Sequence, residues 1–242
     1  MKRIGIIGGI GPESTMDYYR RIIDVFKAKG DGFTYPEIII YSADLAALMR
    51  LVDEGVASGQ WDRLTDWLSE RVAALHAAGA EFGVIGSNTP HVVFDEVQAR
   101  APIPLLSIVA ATCRHAQSLG VRKLGLLGTR FTMTSDYYAN HFLRHDMALV
   151  VPDAAERDRI QHLLFTEIEL GIIRESTRQE LLAIAKKMID THSIQALILG
   201  CTELPLILQE NAYDIPFLNT TALHVQAIVD YCLEKKAGLL LK

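Results

Sequence analysis

Short apolar runs punctuate the chain, and longer stretches with apolar positions three and four residues apart lie between them. The short runs read as buried strands at 3–7, 37–41, 82–85, 104–108 and 196–199. The longer stretches read as amphipathic helices at about 14–28, 61–78 and 92–100. In the second helix Leu64, Trp67, Leu68, Val72 and Leu75 make the apolar stripe. Residues 42–59 carry a weaker signal and are expected to form a loop with a short helix. Strands alternating with helices predict parallel sheets covered on both faces, with reactive loops gathered at the carboxyl ends of the strands.

The pattern occurs twice. Leu124-Gly125-Leu126-Leu127-Gly128-Thr129 echoes Ile4-Gly5-Ile6-Ile7-Gly8-Gly9. Gly200-Cys201-Thr202 echoes Gly86-Ser87-Asn88, and Ile215-Pro216-Phe217-Leu218-Asn219 echoes Ile103-Pro104-Leu105-Leu106-Ser107. The three pairs keep the same order at nearly constant spacing, which argues for an internal duplication. The expected fold is therefore α/β, in two similar halves with parallel sheets related by a pseudo-twofold axis. The first domain is expected over 1–104 plus 217–242 and the second over 105–216, with the active site in the cleft between them.

Two strand ends carry the candidate chemistry. The run 196–199 stops at Gly200-Cys201-Thr202-Glu203, and the run 82–85 stops at Gly86-Ser87-Asn88-Thr89. Apolar strand, glycine, then a nucleophile-type residue is how a sheet delivers a reactive side chain at its carboxyl end. Cys201 and Ser87 are expected to face each other across one site. The N-terminal turn Gly8-Gly9-Ile10-Gly11 leads into a helix. It lacks the third glycine of a dinucleotide fingerprint, and Asp44 stands too far along for the ribose-binding acid. A carboxylate-binding turn at Gly9 and Ile10 fits better, because backbone N–H groups at a helix start attract anions. A plain tight turn is the alternative.

Composition narrows the class. The chain has 242 residues, of which 50% are hydrophobic and 22% charged, enough for a full globular core. The net charge of −5 and scattered basic residues give no nucleic-acid surface. No apolar run approaches the roughly 20 residues of a membrane span, and no signal peptide is expected. Three cysteines, Cys113, Cys201 and Cys232, suit a reducing cytoplasm without disulfides. None has a partner at metal-ligand spacing, so no metal is expected. Cys113 and Cys232 read as packing residues.

The motifs GGIGPEST, SNTPH, GTRFTM, GCTELP and NTTALH together resemble the aspartate/glutamate racemase family over nearly the full length. They are most similar to the branch containing the enteric-bacterial amino-acid racemase. Peptidoglycan glutamate racemases instead carry a DSGxGG start and a GCTH second motif. The resemblance implies a homodimeric racemase that needs no pyridoxal phosphate, with two thiols flanking Cα of aspartate or glutamate. This chain departs at the first thiol, where the usual CNT is Ser87-Asn88-Thr89. Some aspartate racemases also place a lysine near position 169, where this chain has Glu169.

On that reading Cys201 is the thiol acid/base, and Ser87 stands in place of the first cysteine. Asn88, Thr89, Thr202 and Glu203 would supply donors to the developing enolate. Gly9, Ile10 and Thr129 would bind carboxylate, and Arg50 would fork the distal carboxylate. His224 and Glu203 would poise Cys201, and His91 would assist Ser87. Two other readings stay open at this point: a single-cysteine decarboxylase or isomerase of small dicarboxylic acids, and a small-acid binding protein without chemistry.

Overall fold

The computed structural model describes residues 1–209 and 211–234. The expected first domain's last residues, 235–242, lie outside them. The protein is α/β, with two four-stranded sheets in which every strand pair is parallel.

The first unit comprises Met1–Ser107 and the chain from His224 onward. It runs β1 (Ile4–Gly8), α1 (Pro12–Lys29), β2 (Ile38–Ser42), α2 (Leu45–Ser58), α3 (Asp62–Ala77), β3 (Phe82–Ile85), α4 (Phe94–Arg100) and β4 (Leu105–Leu106). Its sheet order is β2-β1-β3-β4. Ile4, Ile6, Phe82 and Val84 pack on Tyr18, Ile22 and Phe26 of α1 and on Val225, Ile228 and Val229 of the last helix.

The second unit, Ile108–Leu223, runs α5 (Ile108–Ser118), β5 (Lys123–Leu127), α6 (Arg130–Thr134), α7 (Asp136–Leu143), β6 (Ala148–Val150), α8 (Ala154–Thr166), α9 (Glu175–His192), β7 (Ala196–Leu199), α10 (Leu204–Ile207) and β8 (Phe217–Asn219). The helix α11 (Thr220–Leu233) begins here and enters the first unit at His224. The sheet order is β6-β5-β7-β8, the first order repeated element by element. The strand β7 has both faces covered. Leu197 and Leu199 join a core with α8 and α9, while Ala196 and Ile198 join another with α5 and α7. Alternate side chains of a strand point to opposite faces, so a doubly covered strand must be apolar throughout.

Four expectations change. Residues 45–58 form one 14-residue helix instead of a loop with a short helix. Asp44 is its N-cap, accepting from the Ala46 N–H at 3.0 Å, and Gly59 closes it at φ +71°. The strand expected over 104–108 is only Leu105–Leu106, because α5 begins at Ile108. The helix expected over 92–100 is a 3-10 turn, Thr89–Val93, followed by α4. The second crossing between units lies at 223/224, not 216/217, because β8 is hydrogen-bonded to β7 and so belongs to the second sheet. Among the described residues no helix is long and apolar enough to cross a membrane.

Candidate active site

In the second unit the site grows from the end of β7. The Gly200 N–H donates to the Leu127 carbonyl at 2.6 Å, and Thr220 Oγ1 donates to the Leu199 carbonyl at 2.9 Å. A Cβ at residue 200 would sit 2.7 Å from Leu126 Cδ1 and 3.0 Å from the Leu127 carbonyl, so only glycine fits this close approach. The chain then turns, and Cys201 is the first side chain beyond the strand.

Cys201 is buried. Its Sγ donates to Glu203 Oε2 at 3.1 Å and lies 3.7 Å from Glu169 Oε1. Thr202 Oγ1 donates to the same Glu203 oxygen at 2.8 Å. The thiol is held protonated. Burial pushes its pKa well up, and the charges of Glu203 and Glu169 push it further, against the Glu203 backbone N–H, which favours the thiolate. Glu169 is pushed up to about 7, first by burial and then by the charge of Glu203. Two carboxylates and a thiol therefore share a half-dry corner.

Glu169 sits in the 3-10 turn Ile168–Leu170, which Gly171 ends at φ +72°. Arg174 pairs with the preceding Glu167 at 2.8 Å, and Thr177 donates to it, so the turn is pinned to the start of α9. Tyr137 completes the corner. Its hydroxyl donates to Thr132 Oγ1 at 3.4 Å, and its pKa is raised first by burial and also by the nearby Cys201. Thr129 caps α6, accepting from the Thr132 N–H at 3.2 Å and bonding Thr132 Oγ1 at 3.0 Å.

In the first unit the end of β3 repeats the arrangement. The Gly86 N–H donates to the Ile7 carbonyl at 2.9 Å, the counterpart of Gly200 on Leu127, and half-buried Ser87 follows. Ser87 Oγ has no hydrogen-bond partner among the described residues. His91 Nδ1 donates to the Ser87 carbonyl at 2.9 Å, not to its hydroxyl, so by this nitrogen the imidazole fixes the loop. Asn88 is buried and Thr89, half-buried, opens the 3-10 turn.

The N-terminal turn differs from its expected role. The Gly9 N–H donates to Thr15 Oγ1 at 2.8 Å, so it is committed inside the protein and not held out to a carboxylate. Gly9 has φ +78°, and a Cβ there would lie 2.3 Å from the Ala43 carbonyl, which requires glycine for structural reasons alone. Ile10 is buried. Arg50 is exposed on α2 and has no ion-pair partner among the described residues. His224 is fully buried in the first unit. Its Nε2 donates to the Leu106 carbonyl at 2.9 Å and its Nδ1 accepts from Tyr18 Oη at 2.8 Å. With both nitrogens committed, His224 ties α11 to α1 and β4 and has neither left to poise a thiol. Tyr18→Phe removes this buried hydrogen bond and should lower unfolding free energy by about 1–3 kcal/mol. An unchanged urea midpoint would show that this tie contributes nothing.

Glu169 and Tyr137 are the residues that sequence reasoning missed as site members. Glu169 was visible only as a departure from lysine. Tyr137 gives no cue, since a tyrosine in the first turn of a helix is ordinary.

Known proteins resemble this chain over most of its length. The family model Asp/Glu/Hydantoin racemase matches residues 7–228. The broad specificity amino-acid racemase RacX of Bacillus subtilis (strain 168) is 25% identical over 226 residues, covering 90% of this chain and 93% of that protein. The crystal structure of a candidate Asp/Glu racemase from Yersinia pestis is 37% identical with a TM-score of 0.85, covering 97% of this chain and all of that one. An aspartate racemase homologue from Pyrococcus horikoshii OT3 is 33% identical with a TM-score of 0.82, at 97% and 100% coverage.

Proposed function

Because the chain belongs to the Asp/Glu/Hydantoin racemase family, we propose that it is a cofactor-independent racemase of acidic amino acids with Cys201 as its thiol acid/base. The observation that carries this reading is the contact of the Cys201 thiol with Glu203 at 3.1 Å, beside a Glu169 carboxyl poised at about 7.

Racemisation breaks the Cα–H bond on one face and forms it on the other. A thiol that is protonated at rest serves directly as the acid. To serve as the base it first passes its proton to the Glu203–Glu169 pair, and the resulting thiolate takes the proton from Cα. The electron pair left on Cα spreads into the substrate carboxylate, which the loop amides and the hydroxyl of Thr202 stabilise. The acidic pair also favours an ammonium group at this end of the site, which lowers the repulsion that holds the thiol pKa high. Ser87 takes the second proton-transfer role by its place in the repeat. Its hydroxyl donates a proton well and abstracts one poorly.

Acidic side chains are assigned through Arg50, whose exposed guanidinium has no carboxylate partner among the described residues. Arg50→Ala should raise KM for aspartate or glutamate by about tenfold to a hundredfold with a smaller change in kcat, because a charge-assisted hydrogen bond contributes about 1.5–3 kcal/mol. The deciding experiment incubates the protein with each enantiomer of aspartate, glutamate, alanine and lysine in D2O. Proton NMR follows α-exchange and chiral chromatography follows inversion. Exchange and inversion of aspartate or glutamate are expected. Inversion confined to neutral or basic amino acids would overturn the substrate class, and no exchange with any of them would overturn the racemase reading itself.

A further inference from the structure

A second cluster of ligand-type side chains lies in the second unit and takes no part in the chemistry above. Cys113 is buried on α5, His141 is in the last turn of α7, and His145 lies just beyond that helix. One ligand atom from each, the sulfur and a ring nitrogen of each histidine, lie within 4.8 Å of one another. The two imidazoles have centroids 5.4 Å apart. We propose that Cys113, His141 and His145 form a binding site for a borderline divalent transition-metal ion, zinc or its analogue cobalt, with a fourth position left to water.

Four observations support it. The donor set is one sulfur and two imidazoles, which selects zinc-like ions over magnesium or calcium. A tetrahedral zinc with bonds of about 2.3 Å to sulfur and about 2.0–2.1 Å to nitrogen holds its ligand atoms roughly 3.3–3.6 Å apart, so side-chain rotation of about 1 Å closes the site. His141 and His145 stand four residues apart, a spacing that sets two imidazoles on one side of a helical turn. The turn is held by the His145 N–H, which donates to the Phe142 carbonyl at 3.0 Å.

The surroundings favour a cation. The carboxyl end of α7 concentrates negative partial charge where the metal would sit. Cys113 and Gln117 share one face of α5, and Gln117 Nε2 lies 3.4 Å from His145 Nδ1, so α5 already holds this ring. A metal bound at the sulfur displaces the thiol proton, and binding releases that proton to solvent. The bound ion would clamp α5 to the end of α7.

The test uses the full chain, stripped of metal by a chelator and titrated with Co2+, reading the thiolate-to-cobalt charge-transfer absorption. Wild type should develop the band with one equivalent of cobalt, and Zn2+ should abolish it. Cys201→Ser, which removes the thiol of the reaction site, should retain it. Cys113→Ser should lose it while keeping racemase turnover. His145→Gln, at an exposed position that leaves the core intact, should weaken cobalt binding about tenfold or more. Absence of the band in wild type overturns the proposal. So does a band that survives Cys113→Ser, or affinity in His145→Gln equal to wild type.

Discussion

Cys201→Ala should cut turnover by between about 100-fold and 10,000-fold, the range expected when a positioned acid/base is removed. Cys201 is the first side chain past β7, at a turn where only glycine fits the preceding position. Its thiol is the group in contact with both Glu203 and Glu169. Alanine removes the thiol and leaves the two carboxylates without the group they contact. The loss should fall on kcat, with KM changed far less, as the proposed acid/base role requires of a group that acts in the transition state. Thermal unfolding should change little, since only the sulfur atom is lost from this side chain. Cys113→Ser and Cys232→Ala should both retain turnover. Cys201→Ala activity within tenfold of wild type, measured by α-exchange in D2O, would sink the assignment of this thiol.

Glu169→Gln should change both the pH profile and the pH dependence of stability. The carboxyl is pushed from 4.5 up to about 7, by burial first and by Glu203 second. As pH rises through about 7 in wild type, Glu169 loses its proton and becomes an acceptor for the thiol proton, so kcat/KM should climb through a step there. Glutamine neither titrates nor accepts a proton. The variant should show no step between pH 6 and 8 and a plateau about 100-fold lower. The stability effect has the opposite sign. The folded state holds the Glu169 proton more tightly than the unfolded chain does, so the group stabilises fully below about pH 4.5. That contribution fades as pH rises and is gone above about pH 7. Glutamine removes the charge that must otherwise be buried. The variant should therefore melt at a higher temperature than wild type at pH 8, with little difference at pH 4.5. A wild-type profile flat through pH 7, or a step that survives in Glu169→Gln, would remove Glu169 from the site. Lower stability of the variant at pH 8 would show that its ionised carboxylate is well solvated.

The two effects belong together. A carboxylate kept beside another carboxylate and a buried thiol costs stability, and on the proposed reading the same arrangement moves the proton. Improving stability at this position should therefore lower activity.

Sequence alone determined the architecture and which side chains follow the strand-ending glycines. The doubly covered strands are legible because a strand buried on both faces must be apolar at every position, as in Ala196–Leu199 and Phe82–Ile85. The duplication is legible because the same sheet order needs the same glycines where strands end, Gly86 against Ile7 and Gly200 against Leu127. Cys201 follows from that rule, since whatever comes after such a glycine leaves the sheet at its carboxyl end. Tertiary structure decided the electrostatics. Glu169 stands on a 3-10 turn remote in sequence from Cys201, and only the packing of α8, that turn and α9 carries its carboxyl to the thiol. His224 looked like a polar site residue, yet burial with both nitrogens bonded makes it a structural tie. Gly9 looked like an anion-binding turn, yet Thr15 takes its amide. Cys113 lies far in sequence from His141 and His145, and it meets them because α5 and α7 cover the same face of the second sheet. Patterning reports which side of an element is dry. Which charge lies beside which thiol depends on contacts between distant elements, and those contacts set the proton affinities on which the chemistry depends.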